Sequence, residues 1–398
     1  MTERDVSGKR KRGVEEPSKM KIGYFVKTYV LEDRHGKPMY SGGIKVVSQH
    51  VKMLNQMGYE TCLVTRNTKE DLDLAAMNLY ESPIVVSPGD DLPDCDLYVG
   101  TFLSDVKMLF QRFNGPVVHL CQGYEPIDYR SRITGEAVTA RYQRRGRLSA
   151  IRRYADRVKF RKKIRGIESI YALPTVKAAV SRHLVELLGQ RYRQRCFLIQ
   201  NGVDPDIFYP DRNRVWGENG KIKILSVGPM QVGFKGIPDT LEAIRALKGK
   251  GLDVDFIRVS SQPPSGEEKD ENLVDTFYMN LKEREMAELY RHSDLFISSS
   301  LDGEGFGLPA MEALASGVPS ILTEIASYVN FDERRDFAYF VPTHQPDKIV
   351  EGILTLRNDA ERRERYRERG IRVSKGFTLE RTKRDLLSLI KELLDGRP

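Results

Sequence analysis

Long apolar runs and paired cysteines are both missing from this chain of 398 residues. No stretch approaches the roughly 18 consecutive apolar residues that a membrane-spanning helix needs, and the polar start of the chain has no apolar signal-peptide core. A structural zinc site is not expected, because the cysteines are scattered and form no CxxC pair. Reduced cysteines are typical of a cytoplasmic protein; here they are Cys62, Cys95, Cys121 and Cys196.

The overall composition is that of a globular protein, with 40% hydrophobic and 30% charged residues. The chain is long for a single hydrophobic core, so its length predicts two domains. Residues 1–20 are charged and lack apolar periodicity, which predicts a disordered tail. The KRKR run at 9–12 is interpreted as part of this solvated tail, and no nucleic-acid partner is expected.

Positive charge is concentrated in segment 141–165, where one acid accompanies twelve Lys or Arg residues. The segment carries a local net charge of +11, whereas the whole chain carries +8. Its apolar residues Leu148, Ile151, Tyr154 and Val158 recur near helical spacing. A basic amphipathic helix is typical of a membrane surface. Peripheral binding to the inner face of the cell membrane is the favoured hypothesis; a solvated helix face and a nucleic-acid contact are the alternatives.

The first half of the remaining chain alternates short apolar runs with amphipathic segments, as in a doubly wound α/β domain. Helices are predicted at 44–57 and at 175–189, the second with Thr175 as its N-cap. Strands are predicted at 21–26, 59–65, 83–87, 96–100, 116–120, 169–173 and 196–200.

The alternation stops at 201–220, a stretch of turn-forming residues that predicts an interdomain linker. It restarts with a strand at 221–228, and two α/β domains in series predict a ligand held in the cleft between them. The predicted divisions are a first domain at 21–200, a second domain at 221–378 and a C-terminal helix within 379–398. Strands are predicted at 254–260, 295–300 and 319–323, and helices at 238–248, near 282–292 and from 309.

The stretch GEGFGLPAMEALASG at 303–317 holds two glutamates, Glu304 and Glu312, around a glycine-rich turn. Pro309 suits the first turn of a helix, where its missing N–H costs nothing. The backbone N–H groups just before that helix would then point from its positive end, which binds phosphate readily. Those groups belong to Gly305, Phe306, Gly307 and Leu308.

Three other interpretations of this turn are open. Glu312 could simply complement the helix dipole while Glu304 is a solvated loop residue. A carboxylate pair for glycoside hydrolysis is disfavoured, because both side chains would lie on one side of the ligand. A dinucleotide fingerprint fits GFGLPA at 305–310, with Glu324 about 20 residues on, but Pro309 falls inside it and several residues separate it from the strand.

The wider segment SDLFISSSLDGEGFGLPAMEALASGVPSILTE (293–324) closely resembles the E-x7-E signature of family 4 glycosyltransferases. Further resemblances cover nearly everything from 21 to 395 and follow in the same order along the chain, at 41–65, 199–210, 227–244 and 286–298. The resemblance implies an α/β protein with the GT-B fold, in which two Rossmann-like domains face each other across a cleft.

The resemblance also implies a role for each matching residue in binding a nucleotide-sugar donor. Glu304 would bind hydroxyls of the sugar, and Glu312 would bind the ribose. Lys235 would neutralise the diphosphate leaving group, and residues 305–308 would offer backbone N–H groups to the sugar and the diphosphate. The loop glycines Gly42 and Gly43 would close on the phosphates from the first domain.

The implied reaction is transfer of a hexosyl or deoxyhexosyl unit, with retention at the anomeric carbon, to a glycan, lipid-linked or small-molecule acceptor. The family needs no cofactor and no obligatory metal. The sequence contains DxD-type pairs, but none lies at a plausible site turn, so no bound cation is expected. They are Asp71/Asp73, Asp94/Asp96 and Asp204/Asp206. A GT-B sugar-nucleotide epimerase and, less favoured, a nucleotide-dependent dehydrogenase are the alternatives.

The sequence departs from the family pattern at two places near the expected site. Pro229 stands where many relatives have an arginine, so phosphate binding would rest on Lys235 or on an arginine from elsewhere. Gln122 aligns with a histidine that many relatives place near the reacting centre, and His119 is the other candidate catalytic residue. The run from Gln122 to Glu125 resembles a rhamnosyltransferase-like subgroup. The polar stretch 258–280 leaves the base-binding region unassigned.

Overall fold

A computed structural model describes residues 20–28, 31–32, 38–39, 42–68, 83–87, 91–134, 147–211, 213–217, 220–270 and 272–395. The predicted tail, apart from Met20, lies outside the described residues, as do 141–146 of the basic segment and the Asp71/Asp73 pair. The described chain forms two parallel β-sheets with helices packed on them.

The first sheet has seven parallel strands in the order β5-β4-β1-β6-β7-β8-β9, and β2 and β3 form a separate antiparallel pair. The strands are β1 Lys21–Phe25, β2 Leu31–Glu32, β3 Pro38–Met39, β4 Glu60–Thr65, β5 Ile84–Val86, β6 Leu97–Gly100, β7 Val117–Cys121, β8 Val176–Ala179 and β9 Cys196–Leu198. The helices of this half are α1 Gly42–Gln56, α2 Leu103–Arg112, α3 Pro126–Thr134, α4 Arg147–Tyr171 and α5 Arg182–Tyr192.

The second sheet has six parallel strands in the order β12-β11-β10-β13-β14-β15. These are β10 Ile222–Val227, β11 Val254–Ser260, β12 Thr276–Met279, β13 Leu295–Ser298, β14 Ser320–Thr323 and β15 Tyr339–Val341. The helices are α6 Ile237–Gly249, α7 Glu283–Arg291, α8 Leu308–Ala315, α9 Ala326–Val329, α10 Pro346–Asn358, α11 Ala360–Ser374 and α12 Leu379–Asp395, with 3₁₀ turns at Gly233–Lys235 and Gly266–Lys269.

Both sheets are covered by helices, which explains why their central strands are continuous apolar runs rather than alternating ones. All five residues of β7 and all four of β13 are buried. In each sheet the order reverses beside the first strand, β1 or β10, so a crevice opens at the carboxyl ends of the strands. The α/β architecture with two Rossmann-like domains is therefore confirmed.

Two elements predicted in the first half are wrong. Residues 169–171 are not a strand but the end of helix α4, and 172–173 lie in the turn that follows, because Ile164, Ile167 and Tyr171 bury one helical face. The segment from 175 does not start a helix at Thr175: it first forms strand β8, and α5 begins only after Ser181. Alanines in β8 concealed the strand, since alanine favours helices but fits a fully buried sheet.

The C-terminal helix α12, whose packing the sequence left open, returns to the first domain. The backbone N–H of Gln200 donates to Asp385 at 3.0 Å, and Thr382 Oγ1 donates to the Gln200 carbonyl at 2.7 Å. Helix α12 also packs against α1, and Leu386 and Ile390 are buried. The chain therefore crosses between the domains twice.

No helix within the described ranges is both long and apolar enough to cross a membrane.

Candidate active site between the two domains

The glycine-rich turn connects strand β13 to helix α8 at the carboxyl edge of the second sheet. The strand ends at Ser298, and the helix begins at Leu308 with Pro309 in its first turn, as predicted. Gly307 precedes the helix with a φ of 91°, and a Cβ there would lie 2.2 Å from the ring of Tyr328. Glycine is required here by the left-handed backbone and by the close packing.

Gly305 brings the turn into direct contact with the first domain. A Cβ at this position would lie 1.8 Å from the carbonyl oxygen of Gln122. The Ser181 hydroxyl donates to the Gly305 carbonyl at 2.7 Å, also from the first domain. The absence of a side chain at 305 therefore lets the two domains meet backbone to backbone.

The side chains of Phe306 and Leu308 point away from this contact. Phe306 is buried against Phe331 and Phe377, with ring centroids 5.3 and 5.8 Å apart. Leu308 packs on the same hydrophobic cluster. These two side chains anchor the turn, so the backbone groups of the turn face the first domain.

Glu304 forms an ion pair with Lys235 at 2.6 Å. Ser300 Oγ also donates to Glu304, at 3.2 Å. Lys235 lies in the 3₁₀ turn after β10, and the loop glycine Gly228 leaves room for its stem: a Cβ there would lie 3.1 Å from Lys235 Cδ. The two donor-site residues expected from the sequence are thus brought together, each with most of its side chain buried.

Glu312 is held by two groups that the sequence analysis missed. Lys45 of helix α1 places Nζ 2.8 Å from Glu312 Oε1 and 2.8 Å from Glu283 Oε1. The Tyr290 hydroxyl donates to Glu312 Oε2 at 3.2 Å. Burial, and then the Glu312 carboxylate, raises the pKa of Tyr290 well above its usual value, so this hydroxyl stays a donor.

Gln122 lies at the cleft and organises the start of helix α1. Its Nε2 donates to the Gly43 carbonyl at 3.0 Å and to Thr101 Oγ1 at 2.9 Å. A Cβ on Gly43 would lie 3.2 Å from Gln122 Oε1, whereas Gly42 is exposed with nothing within 4 Å. Gln122 and Gly43 therefore form one unit facing the glycine-rich turn.

His119 lies in the core, a position that does not fit the catalytic role expected of it. Its side chain is 1% exposed in β7, with its ring 4.9 Å from that of Tyr171. Burial, and then the charge of Lys177, lowers the pKa of His119 to about 3, so the ring is neutral at physiological pH. Gln122, just beyond the strand end, is the one of these two candidates that the structure places at the cleft.

His183 is a third residue near the site that no sequence pattern indicated. It lies in the first turn of α5, two residues after the Ser181 that contacts the turn. Burial lowers the pKa of His183 to about 4, and the charge of Glu304 opposes this shift. Its buried Nδ1 has no hydrogen-bond partner among the described residues. No signal marked it, because this segment was predicted as the interior of a longer helix.

A buried arginine of β11 lies beside Pro229, the position at which many relatives of the resembled family have an arginine. Arg258 is fully buried; it pairs with Glu268 at 3.0 Å, donates to the Ser226 carbonyl at 2.7 Å and also bonds the Gly228 carbonyl. Its guanidinium therefore holds the start of the loop after β10 in place. It is not available to a phosphate, because its N–H donors already bind groups of the protein.

The DxD-type pairs within the described ranges contain aspartates whose side chains accept hydrogen bonds from backbone N–H groups. Asp96 accepts from the Lys21 N–H at 2.8 Å, and Asp204 accepts from the Asp206 N–H at 2.9 Å, as a turn former does. Among the residues that the structure describes, no group of three or more His, Cys, Asp or Glu side chains could hold a metal ion.

The described part of the basic segment is helical, as predicted, and belongs to α4. Ile164 and Ile167 pack inward, whereas Tyr154 is 71% and Val158 50% exposed. Most cations along the same stretch are also exposed: Arg157, Lys159, Arg161, Lys162, Lys163 and Arg165. Two apolar side chains therefore stand on a cationic, outward face of the first domain.

Residues 212–373 match the family model of glycosyl transferases group 1. Curated relatives include a D-inositol 3-phosphate glycosyltransferase of Corynebacterium glutamicum, 25% identical over 50% of this chain and 52% of the relative. Another is an MMP alpha-(1->4)-mannosyltransferase of Mycolicibacterium hassiacum, 27% identical over 47% of this chain and 44% of the relative. The chain spans about half the length of the curated relatives it matches.

Solved structures match almost the whole chain. Sucrose-phosphate synthase from Thermosynechococcus elongatus aligns with a TM-score of 0.71 and 16% identity, over 95% of this chain and 100% of that one. Anabaena HepE in complex with UDP-glucose aligns with a TM-score of 0.69 and 12% identity, over 94% and 100%. These matches confirm the GT-B fold, and the family model of glycosyl transferases group 1 covers most of the second domain.

Proposed function

We propose that this protein is a glycosyltransferase that moves a sugar from a nucleotide-sugar donor to a glycan, lipid-linked or small-molecule acceptor. One observation carries the proposal: Glu304 and Glu312 stand at the two ends of a glycine-rich turn that faces the first domain. The names of the relatives support the reaction class, and the UDP-glucose bound by HepE supports the donor class.

The turn offers separate groups for the parts of a donor. Glu304 would accept hydrogen bonds from sugar hydroxyls, and Glu312 would accept them from the ribose. Between them, the N–H groups before α8 and the Lys235 ammonium would hold the diphosphate. Negative charge grows on the diphosphate as the glycosidic bond breaks, so a cation already within the site lowers the barrier.

We also propose retention at the anomeric carbon and no metal requirement. Retention is supported by the E-x7-E resemblance, and Lys235 with the helix N-terminus is the group that would stabilise the leaving diphosphate without a cation. The two carboxylates lie on one glycine-rich turn and the helix that follows it, rather than on opposite sides of a scissile bond, which disfavours simple hydrolysis. The dehydrogenase alternative is disfavoured because six residues lie between the end of β13 at Ser298 and Gly305, whereas the dinucleotide fingerprint follows its strand directly.

A thermal-shift panel of UDP-, GDP-, dTDP- and ADP-sugars tests the donor class. At a concentration 100 times Kd, the right donor is expected to stabilise the wild type by about 2.7 kcal/mol. Glu312→Ala should lose most of this stabilisation, because it removes the ribose acceptor. Glu361→Ala, on the exposed side of α11, is the matched control and should respond like the wild type.

Two outcomes of the thermal-shift panel would contradict these expectations. If none of the nucleotide-sugars stabilises the wild type, the proposed donor class is wrong. If Glu312→Ala is stabilised as strongly as the wild type, a nucleotide binds but not through this turn.

For the acceptor side we propose that α4 contacts an anionic membrane surface. Its outward face combines cations with exposed Tyr154 and Val158, and each Lys or Arg near an anionic leaflet contributes about 1 kcal/mol. Such contacts would place the first domain of a cytoplasmic enzyme beside a lipid-linked acceptor.

Vesicle co-sedimentation tests the membrane proposal. The protein should bind phosphatidylglycerol vesicles at low salt and be released as salt rises, because screening weakens the attraction. Replacing Lys159 and Lys162 together by glutamine is expected to weaken binding by about tenfold or more. The same change at exposed Lys250 and Lys375 of the second domain is the control. Equal binding to phosphatidylcholine vesicles, or none at low salt, would contradict the proposal.

A further inference from the structure

Lys45 crosses the cleft to the carboxylate that the proposed function assigns to the ribose. It belongs to α1 of the first domain, yet its Nζ lies 2.8 Å from Glu312 Oε1 in the second domain. The Lys45 side chain is only 14% exposed and that of Glu312 only 8%. Because Lys45 arrives from the facing domain, it covers Glu312 on the side from which a ligand in the cleft would approach.

Both oxygens of Glu312 are occupied in this arrangement. Lys45 donates to Oε1, and the Tyr290 hydroxyl donates to Oε2 at 3.2 Å. The same hydroxyl lies 3.1 Å from the Pro309 carbonyl, so its single proton is shared between two acceptors of the second domain, and Tyr290 belongs to the fixed wall of the site. Lys45 is the partner that can withdraw when the cleft changes, because it is on the other domain.

Glu283 gives Lys45 a second place to bind. It is the first residue of α7, and its Oε1 lies 2.8 Å from Lys45 Nζ. Its side chain is 26% exposed, more than the 8% of Glu312. A lysine that leaves Glu312 therefore keeps an ion pair near water, which avoids the large cost of a buried unpaired charge.

We propose that Lys45 competes with the nucleotide ribose for Glu312 and that Glu283 retains the lysine when a nucleotide binds. This inference rests on the proposed function. Lys45 is then a positioning residue: it keeps the ribose carboxylate neutralised and in place while the site is empty, and it ties donor entry to the contact between the domains.

The opposite idea is that Lys45 simply attracts the diphosphate by its charge. The two ideas predict opposite signs for two substitutions. If Lys45 attracts the diphosphate, Lys45→Met weakens nucleotide binding, and Glu283→Gln strengthens it by removing a negative charge. If Lys45 competes with ribose, Lys45→Met strengthens binding by freeing Glu312. Glu283→Gln then weakens binding, because Lys45 is left with Glu312 alone.

The test is calorimetric titration with the nucleoside diphosphate of the best-stabilising sugar in the thermal-shift panel. Lys45→Met is expected to lower Kd about fivefold, and Glu283→Gln to raise it by a similar factor. Lys52→Met, an exposed lysine on the same helix, removes the same charge and should leave Kd within about twofold. With the 2′-deoxy form of the nucleotide the gain in Lys45→Met should shrink, because a ribose hydroxyl causes it.

The proposed competition would be overturned if Kd rose in Lys45→Met and fell in Glu283→Gln, or if Kd changed in neither variant. Glu283→Gln keeps the test decisive if Lys45→Met folds poorly. A thermal-unfolding double-mutant cycle of Lys45→Met and Glu312→Gln reports the ion pair without any nucleotide. If no nucleoside diphosphate binds the wild type or the variants, the proposed function fails together with the competition. If nucleotides bind with an unchanged Kd in both variants, only the competition fails.

Discussion

Glu304→Gln is expected to lower kcat for glycosyl transfer by about 10²–10³-fold while the protein remains folded. The substitution keeps the shape of the side chain but removes the charge that pairs with Lys235 at 2.6 Å. A neutral amide holds the sugar hydroxyls less strongly. It also leaves Lys235 to bind the donor diphosphate in the ground state, so the loss should appear in kcat and little in KM.

Steady-state kinetics with the donor found in the thermal-shift panel measure this loss. Glu333→Gln, an exposed glutamate in the loop after α9, is the matched control and should keep wild-type kcat. Far-UV circular dichroism and thermal unfolding check the fold of both variants. A kcat within threefold of wild type would remove Glu304 from the reaction, whatever the nucleotide affinity of the variant.

Gly305→Ala is expected to reduce kcat/KM by about 10²-fold through the position of the domains rather than through the chemistry of the turn. Its added methyl group would lie 1.8 Å from the Gln122 carbonyl oxygen, so the backbones must separate. Gly305 has no left-handed φ, and alanine therefore imposes no backbone strain of its own. The clash is relieved most easily if the cleft opens.

Small-angle scattering and kinetics together test this prediction. The radius of gyration should rise in Gly305→Ala, while thermal stability changes little because neither domain core is altered. Gly249→Ala, at the end of α6 with nothing within 4 Å of the added atom, is the control. If Gly305→Ala has wild-type activity and an unchanged radius of gyration, the contact between the turn and Gln122 does not govern catalysis.

The local part of the fold could be predicted from the sequence because it depends on neighbouring residues. Strand β11 was predicted at its observed bounds, and the start of α8 followed from Pro309. The end of helix α4 and strand β8 were harder to predict. Over a few residues, the apolar end of a long basic helix resembles a strand, and an alanine-containing buried strand resembles a helix. Tertiary burial decided those two elements.

In the candidate site, too, the residues close in sequence could be predicted and those joined only by the fold could not. Glu304 and Glu312 can be recognised from a single stretch, because the turn and the helix that follows it are contiguous in sequence. Lys45 was not, since its partner Glu312 is 267 residues away and no local pattern connects them. The choice between Gln122 and His119 depended on where β7 ends, a boundary that the sequence did not fix to the residue.

The double crossing of the chain restricts how the cleft can move. The two crossings lie against each other: the Val203 N–H donates to the Phe377 carbonyl at 2.9 Å, and a Cβ on Gly202 would lie 2.4 Å from the Thr378 backbone. A single connection would allow the domains to twist and swing in any direction. Two hydrogen-bonded connections side by side resist torsion but permit bending about one axis, so we expect the cleft to open along one path that brings Lys45 back to Glu312 on closing.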